Sequence, residues 1–252
     1  MAQSTARERP ARGIRGLATR ANPAFAGGAV AVPVIALGAA LATNDLRLLT
    51  YVHVMAGVLW TGIDLFVGMI VGPVLGGIDP QERAGFFRRF TPKMTFLMPT
   101  LAMVTITGGI VLARRLGKFP NADPWLALMT PAILVPVVVL IGVQFDALTS
   151  PRTLGVLAVV VVASAGGLAV TLPGFAMTNG WILAALVIVT LLSIIGFGVL
   201  LPGEIRIYRQ LTSADPDVDL ISRLGLRNAK LSGVEGLLQL TIVFVMVGLR
   251  YL

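Results

Sequence analysis

The sequence contains no cysteine and only one histidine. The absence of cysteine excludes disulfides, thiolate metal ligands, iron–sulfur clusters and thiol catalysis. Charged residues are also scarce, at 13% of the 252 residues, whereas soluble domains contain about 25%. Apolar residues make up 56% of the chain, and its mean hydropathy is +0.87. This composition predicts an all-α fold, a polytopic helix bundle in a lipid bilayer.

Seven apolar stretches are long enough to cross a bilayer, since each transmembrane helix needs about 20 mostly apolar residues. They predict a single transmembrane domain over residues 26–252, preceded by a basic, mobile cytoplasmic tail at residues 1–25. The polar segment 203–230 is predicted to be a cytoplasmic loop, containing either an interfacial helix or an extension of the last span. The predicted spans are residues 26–43, 48–75, 95–113, 125–147, 154–173, 180–202 and 231–250.

The distribution of lysine and arginine predicts the orientation of these spans. With a cytoplasmic amino terminus, fifteen of these residues face the cytoplasm and five face the outside, as the positive-inside rule requires. The basic residues lie in short loops, so they indicate topology rather than binding to nucleic acid. Four aromatic residues fall at predicted outer helix ends, where such side chains concentrate: Tyr51, Trp125, Trp181 and Tyr251. We therefore expect a multi-pass protein of the cell membrane with its carboxy terminus outside.

An alternative for the first span is a cleaved signal peptide. The residues Ala40-Leu41-Ala42 follow an apolar run and resemble a cleavage site of the A-x-A type. Cleavage of residues 1–42 would leave six spans in the same orientation. The apolar run is longer than the core of a usual signal peptide, which favours retention of the span.

The second span carries an unusual combination of polar residues on one helix face. At 100° per residue, Trp60 and Asp64 lie within about 20° of the direction of His53. An ionisable side chain at membrane depth is expensive unless it is paired or hydrated, so such residues usually serve a function. Gly68, Gly72 and Gly76 continue the helix as a series of small residues that lets a neighbouring helix approach closely.

Two other spans contain polar residues at depth. The last span carries Glu235 and Gln239, which could join two helices or, with Asp64, bind a proton or cation. Gln144 and Asp146 lie near the inner end of the fourth span, where solvent would reach Asp146. A zinc site is disfavoured because zinc prefers histidine and cysteine ligands. Haem needs only one axial histidine, and a methionine can serve as a sixth ligand.

The stretch HVMAGVLW, from His53 to Trp60, resembles the H-x6-W helix of small haem-b membrane proteins. These proteins include the membrane-bound protoporphyrinogen oxidase family and the copper-resistance D family. The following segment, FRRFTPKMTFLMPTLAMVTITGG, is similar to the oxidase pattern at six positions: Arg88, Arg89, Met98, Pro99, Thr107 and Gly108. The resemblance covers about residues 48–113. The sequence departs from the oxidase pattern in two ways. It has no lysine near the start of the next helix, where the oxidases carry one, and it has seven predicted spans in place of about four.

The resemblance implies a haem-b bundle in which His53 binds the iron and Trp60 packs against the edge of the ring. Met98 is a candidate sixth ligand. A haem-dependent membrane oxidoreductase or a redox subunit is therefore our first functional hypothesis, with the lipid bilayer and other redox subunits or a second copy of the chain as partners.

Two further hypotheses follow from the residues themselves. The first is a proton- or cation-coupled carrier that uses Asp64 and Glu235. Helix breaks could then be expected at the Gly-Gly pairs 108–109 and 166–167, although the residues that flank the two pairs do not match and the sequence shows no internal repeat. The second is an accessory or assembly subunit without chemistry of its own, because the chain has small-residue helix faces and almost no soluble mass.

Overall fold

A computed structural model describes residues 13–251, and every regular element in that range is helical. Two π-helical turns, π1 (Val67–Val71) and π2 (Gly196–Leu200), interrupt long helices, and a short 3-10 turn covers Leu172–Gly174. The α-helices of the described range are α1 (Gly13–Ala21), α2 (Pro23–Ala42), α3 (Leu46–Phe66), α4 (Gly72–Gly76), α5 (Pro80–Arg115), α6 (Ala122–Gln144), α7 (Pro151–Thr171), α8 (Gly180–Ile195), α9 (Leu201–Leu211) and α10 (Val218–Arg250).

Seven helical segments within residues 13–251 are long and apolar enough to cross a membrane. The predicted fold class and number of spans are confirmed, and the protein is an integral membrane protein. The segments are Pro23–Ala42, Leu46–Gly76, Pro80–Arg115, Ala122–Gln144, Pro151–Gly174, Gly180–Leu211 and Val218–Arg250. Several are longer than the predicted spans, because polar residues extend the helices beyond their apolar parts.

The prediction of a loop at residues 203–230 is wrong. α9 continues the sixth span to Leu211 and α10 begins at Val218, so only residues 212–217 separate the two helices. Of the two predicted alternatives for this segment, the extension of the last span is correct. The Asp217 side chain accepts a hydrogen bond from the N–H of Leu220 and caps the new helix start.

The predicted mobile tail is also partly wrong. Residues 1–12 of the tail lie outside the described residues, but Gly13–Ala21 forms a helix in which Leu17 and Ala21 are buried. The hydroxyl of Tyr208 donates a hydrogen bond to the carbonyl of Gly13 at 3.2 Å. The basic segment is therefore attached to the bundle by packing and by this bond.

The bundle is built around α10, which packs against α3, α5, α8 and α9. α6 and α7 lie to one side, and α7 packs mainly against α6. Ser164 is the single buried residue of α7. Apart from Arg152 at its start, the other side chains of α7 are apolar or small, as suits a surface that faces lipid.

Both π turns precede a proline, and the proline explains the break in the helix. The N–H of the residue after each turn, Gly72 or Leu201, bonds to the carbonyl five residues earlier, where an α-helix would use the carbonyl four residues earlier. Pro202 has no N–H, so the carbonyl of Gly198, four residues earlier, loses its helical donor. The Gln144 side chain from α6 replaces that donor, with Nε2 at 2.6 Å from the carbonyl oxygen. The Gly-Gly pairs 108–109 and 166–167, where breaks were expected, lie inside the uninterrupted helices α5 and α7.

π1 and α10 are in backbone contact. A Cβ atom on Gly68 would lie 2.1 Å from Cα of Gly233, and one on Gly72 would lie 3.6 Å from Cβ of Ala229. A Cβ on Gly76 would meet nothing within 4 Å. The predicted close approach of a helix is thus confirmed for two of the three glycines.

We expect Gly68→Ala to destabilise the protein by about 1–3 kcal/mol, because the added methyl group cannot fit without separating two helices. The measurement is thermal unfolding of the detergent-solubilised protein. Gly62→Ala in the same helix is the matched control, since a Cβ there would meet nothing within 4 Å. Equal unfolding temperatures for the two variants would contradict the packing described here.

Candidate functional site

A polar cluster in the bundle interior joins α3 to α10. Asp64 lies in the last turn of α3, and Glu235 and Gln239 lie one turn apart on α10. The Nε2 of Gln239 donates a hydrogen bond to Oδ2 of Asp64 at 2.8 Å. The exposed fractions of Asp64, Glu235 and Gln239 are 0%, 2% and 2%. These three side chains are therefore shielded from both solvent and lipid.

The carboxyl groups of Asp64 and Glu235 are in contact, and the Ser232 hydroxyl and Trp60 indole also face Asp64. Even so, three buried oxygens of the cluster have no partner among the described residues in hydrogen-bonding geometry. They are Oδ1 of Asp64, Oε1 of Glu235 and Oε1 of Gln239. A buried acceptor without a donor is costly and occurs mainly where a proton, ion or ligand completes the site.

The glycines described above create this cluster. Gly68 follows Asp64 by one turn and touches Gly233, which precedes Glu235 by two residues. A Cβ on Gly236 would lie 2.8 Å from the Leu65 side chain, and one on Gly196 of π2 would lie 3.2 Å from Oε1 of Glu235. The two carboxyl groups meet because side chains are missing from both crossing helices.

A cavity lies beside the cluster, among α3, π1, α5, α8, π2, α9 and α10. Its walls are mostly apolar, with aromatic and methionine side chains from α5 and π2. Its polar lining comes from Asp64, Thr95, Ser193, Glu204, Asn228, Ser232 and Glu235. A mostly apolar lining with a few polar groups is typical of sites for small molecules.

A second polar group forms the far end of the cavity. Asn228 of α10 donates to Oε1 of Glu204 at 3.1 Å and to the carbonyl of Leu200 in π2 at 3.2 Å. Arg227 donates to the Asn228 side chain at 3.2 Å and to Gln144 at 3.5 Å. Oε2 of Glu204 is buried without a partner among the described residues. Asn228 precedes Glu235 by two helical turns, so roughly 10 Å separate the two ends along α10.

His53 lies outside this cavity lining, although it shares a helix face with Trp60 and Asp64. Its ring packs against α5, where a Cβ on Gly109 would lie 2.7 Å from Cε1 of His53. Nδ1 lies 2.8 Å from the carbonyl oxygen of Thr105. A carbonyl only accepts, so Nδ1 carries the proton in this contact and Nε2 keeps a free lone pair.

The other residues of the haem hypothesis are spread along the bundle. Trp60 and Met98 both line the cavity. Met98 precedes Thr105 by seven residues in α5, so it lies roughly 10 Å along the helix axis from the carbonyl that His53 contacts. Arg88 and Arg89 are exposed near the start of α5, farther still from His53.

Sequence reasoning did not identify Glu204 as a site residue, because the segment from residue 203 was assigned to a loop. A signal was present: Pro202 follows an apolar run and Glu204 comes two residues later. Proline within the first turn and an acidic residue near it are typical of a helix that starts again. Asn228 was missed because the predicted last span begins at residue 231. Ser232 lies inside that span, but a serine can satisfy its hydroxyl within its own helix and therefore gives no signal.

The described residues contain no group of three or more histidine, aspartate and glutamate side chains that could hold a metal ion. Comparisons of the chain with protein-family models, with curated proteins and with solved structures found no match. The function must therefore be argued from the geometry of the site.

We expect a double-mutant cycle between Asp64→Ala and Gln239→Ala to give a coupling energy of about 1 kcal/mol, a typical value for a hydrogen bond between membrane helices. The measurement is reversible unfolding in mixed micelles. Thr241→Ala is the control, because Thr241 is an exposed residue of the same helix. The change in unfolding free energy caused by Thr241→Ala should add to that caused by Asp64→Ala. If the changes caused by Gln239→Ala and Asp64→Ala also add, the buried hydrogen bond between them is refuted.

Proposed function

We propose that the protein is a membrane carrier in which the Asp64–Glu235 pair binds a proton or a cation. One observation carries this proposal. Two carboxyl groups from different helices touch each other at the wall of an internal cavity, and each leaves a buried oxygen without a partner.

Elementary electrostatics explains why such a pair must bind a positive charge. Two carboxylates in contact and away from water repel each other too strongly for both to be ionised. The pair therefore holds a proton, or a cation takes the place of that proton. Ionisable residues in the interior of membrane helices commonly mark the pathways of ions and protons.

The helix interruptions support the same function. Transporters often bind substrates and coupling ions where a membrane helix is broken. Here π1 begins three residues after Asp64, and Gly196 of π2 lies against Glu235. Two broken helices thus border the carboxyl pair, and both also line the cavity.

The proposal predicts exchange of protons for cations in proteoliposomes. Vesicles that contain the pH indicator pyranine are prepared at acidic pH and diluted into neutral buffer with NaCl, KCl or 4-phenylbutylguanidinium chloride, whose cation has N–H donors and stays charged at these pH values. We expect the interior to become alkaline faster than in protein-free vesicles with at least one of these cations. The double variant Asp64→Asn, Glu235→Gln should reduce this rate to that of protein-free vesicles, because neutral amides cannot exchange a proton.

Asp219→Asn is the matched control, since Asp219 is an exposed acidic residue in the first turn of α10. This variant should exchange protons at the wild-type rate. Size-exclusion chromatography checks that the double variant remains folded. Wild-type vesicles that respond to none of the three cations would overturn the carrier proposal, as would an undiminished response from the folded double variant.

Haem binding through His53 is a second candidate function. Support comes from the Thr105 contact, because metal-binding histidines usually donate their other ring N–H to a carbonyl or carboxylate. Nε2 of His53 would hold the group, which supplies one-electron redox chemistry when bound. The chain would then be a haem-dependent oxidoreductase or a redox subunit.

The surroundings of His53 support haem binding less well than the free Nε2 of its ring does. Gly108 and Gly109 of α5 lie against the ring, and the cavity that holds Trp60 and Met98 does not have His53 in its lining. A macrocycle on Nε2 would therefore not occupy the cavity that Trp60 and Met98 line. For this reason the carrier function ranks first.

An absorption spectrum of protein purified from haem-replete cells tests this second candidate. Haem ligated by His53 would give a Soret band that is lost in His53→Ala, because alanine cannot ligate iron. Asp64→Asn is the control and should keep the band. A colourless wild-type protein would rule out haem binding, and a band that survives His53→Ala would rule out His53 as the ligand.

A further inference from the structure

The cavity ends in hydrogen-bond acceptors that have no donors. Oδ1 of Asp64 and Oε1 of Glu235 are buried without a partner among the described residues, and both residues line the cavity. Oε1 of Gln239, beside them, also lacks a partner. Such an excess of acceptors is satisfied by a ligand that brings N–H donors and positive charge. Trp60 lies at the same end of the cavity, and an indole also attracts cations.

The rest of the cavity suits an apolar body. Its walls between the two polar ends include Phe90, Met94, Met98, Phe197 and Leu201. An inorganic ion at the carboxyl pair would leave these apolar side chains without a ligand to contact. Aromatic and methionine side chains favour hydrocarbon groups and adapt to different shapes.

We propose that the cavity binds an organic monocation, an ammonium group attached to an aromatic or aliphatic body. The ammonium group donates hydrogen bonds to Oδ1 of Asp64 and Oε1 of Glu235, and the apolar body lies between α5 and π2. This inference rests on the proposed function, because it identifies the cation that exchanges with the proton of the carboxyl pair.

The exchange conserves the charge of the site. One ammonium group enters as one proton leaves the pair for water, and no covalent bond of the ligand changes. The other ionisable residue in the cavity lining is Glu204 of α9, and Arg227 of α10 lies near it. Arg227 offsets the charge of Glu204, so the ammonium group is expected at the opposite end.

Two molecules of the same shape test this inference at neutral pH. They are 4-phenylbutylamine, which is charged, and 4-phenylbutan-1-ol, which is neutral. We expect calorimetry on the purified protein to give a Kd for the amine at least about tenfold lower than for the alcohol, since hydrogen bonds between charged groups are stronger than those of a neutral hydroxyl. In Asp64→Asn, Glu235→Gln this ratio should fall to about one, and in Asp219→Asn it should not change.

The Met98→Trp variant tests whether the ligand binds in this cavity. A larger side chain there should weaken both molecules by a similar factor and leave their ratio unchanged, because it fills space near the apolar body only. An equal Kd for amine and alcohol in the wild-type protein overturns the inference, as does a preference that survives in the double variant. Binding of both molecules with unchanged affinity to Met98→Trp overturns the assignment to this cavity.

The outcome separates this inference from the proposed function. If amine and alcohol bind equally while vesicles still exchange protons for Na⁺ or K⁺, the organic ligand is wrong and the carrier function stands. If vesicles exchange protons for none of the tested cations and the two molecules bind equally, both proposals are wrong.

Discussion

The backbone contact between Gly68 and Gly233 is the constraint on which the candidate site depends. Without Cβ atoms, π1 and α10 approach until a methyl group on Gly68 would overlap Gly233. Asp64 lies one turn before this contact and Glu235 lies two residues after it. The short distance between the helices makes the two carboxyl groups neighbours. In a bilayer, where apolar surfaces gain little by leaving lipid, such close van der Waals packing is a main source of helix association.

The number of helices could be predicted from the sequence because a bilayer leaves the chain little choice. Every backbone group in lipid must bond within its own segment, so each apolar run of sufficient length is a helix. The helix ends could not be predicted in the same way. In α5, α9 and α10 the helix continues into polar sequence, where hydropathy no longer distinguishes helix from loop. Arg83 illustrates the cause: its guanidinium group donates to the carbonyls of Leu75 and Ile78 and to Ser222, and these tertiary bonds leave no periodic pattern.

The same reasoning explains which parts of the candidate site were found. Sequence reasoning identified Asp64, Glu235 and Gln239 because polar side chains are energetically costly in lipid. That cost does not reveal which of them are in contact, and Asp64 and Gln239 are 175 residues apart in the sequence. The shared face of His53, Trp60 and Asp64 suggested one site for all three. That face extends over eleven residues, roughly 16 Å of helix, and it borders α5 at one end and the cavity at the other. One face of α3 thus borders two different environments, and helical periodicity alone could not tell which residues of that face lie in which environment.

The two π turns lie directly beside the carboxyl pair. Gly196 of π2 lies against Oε1 of Glu235, and π1 starts one turn after Asp64. A turn that precedes proline has lost a helical hydrogen bond, so its backbone is easier to rearrange than a regular α-helix. In π2 the lost bond is replaced by the side chain of Gln144, which Arg227 also contacts. The carboxyl pair, the broken helices and the far end of the cavity are therefore linked by direct contacts, and the proposed carrier would need such contacts to couple a bound charge to a change in access.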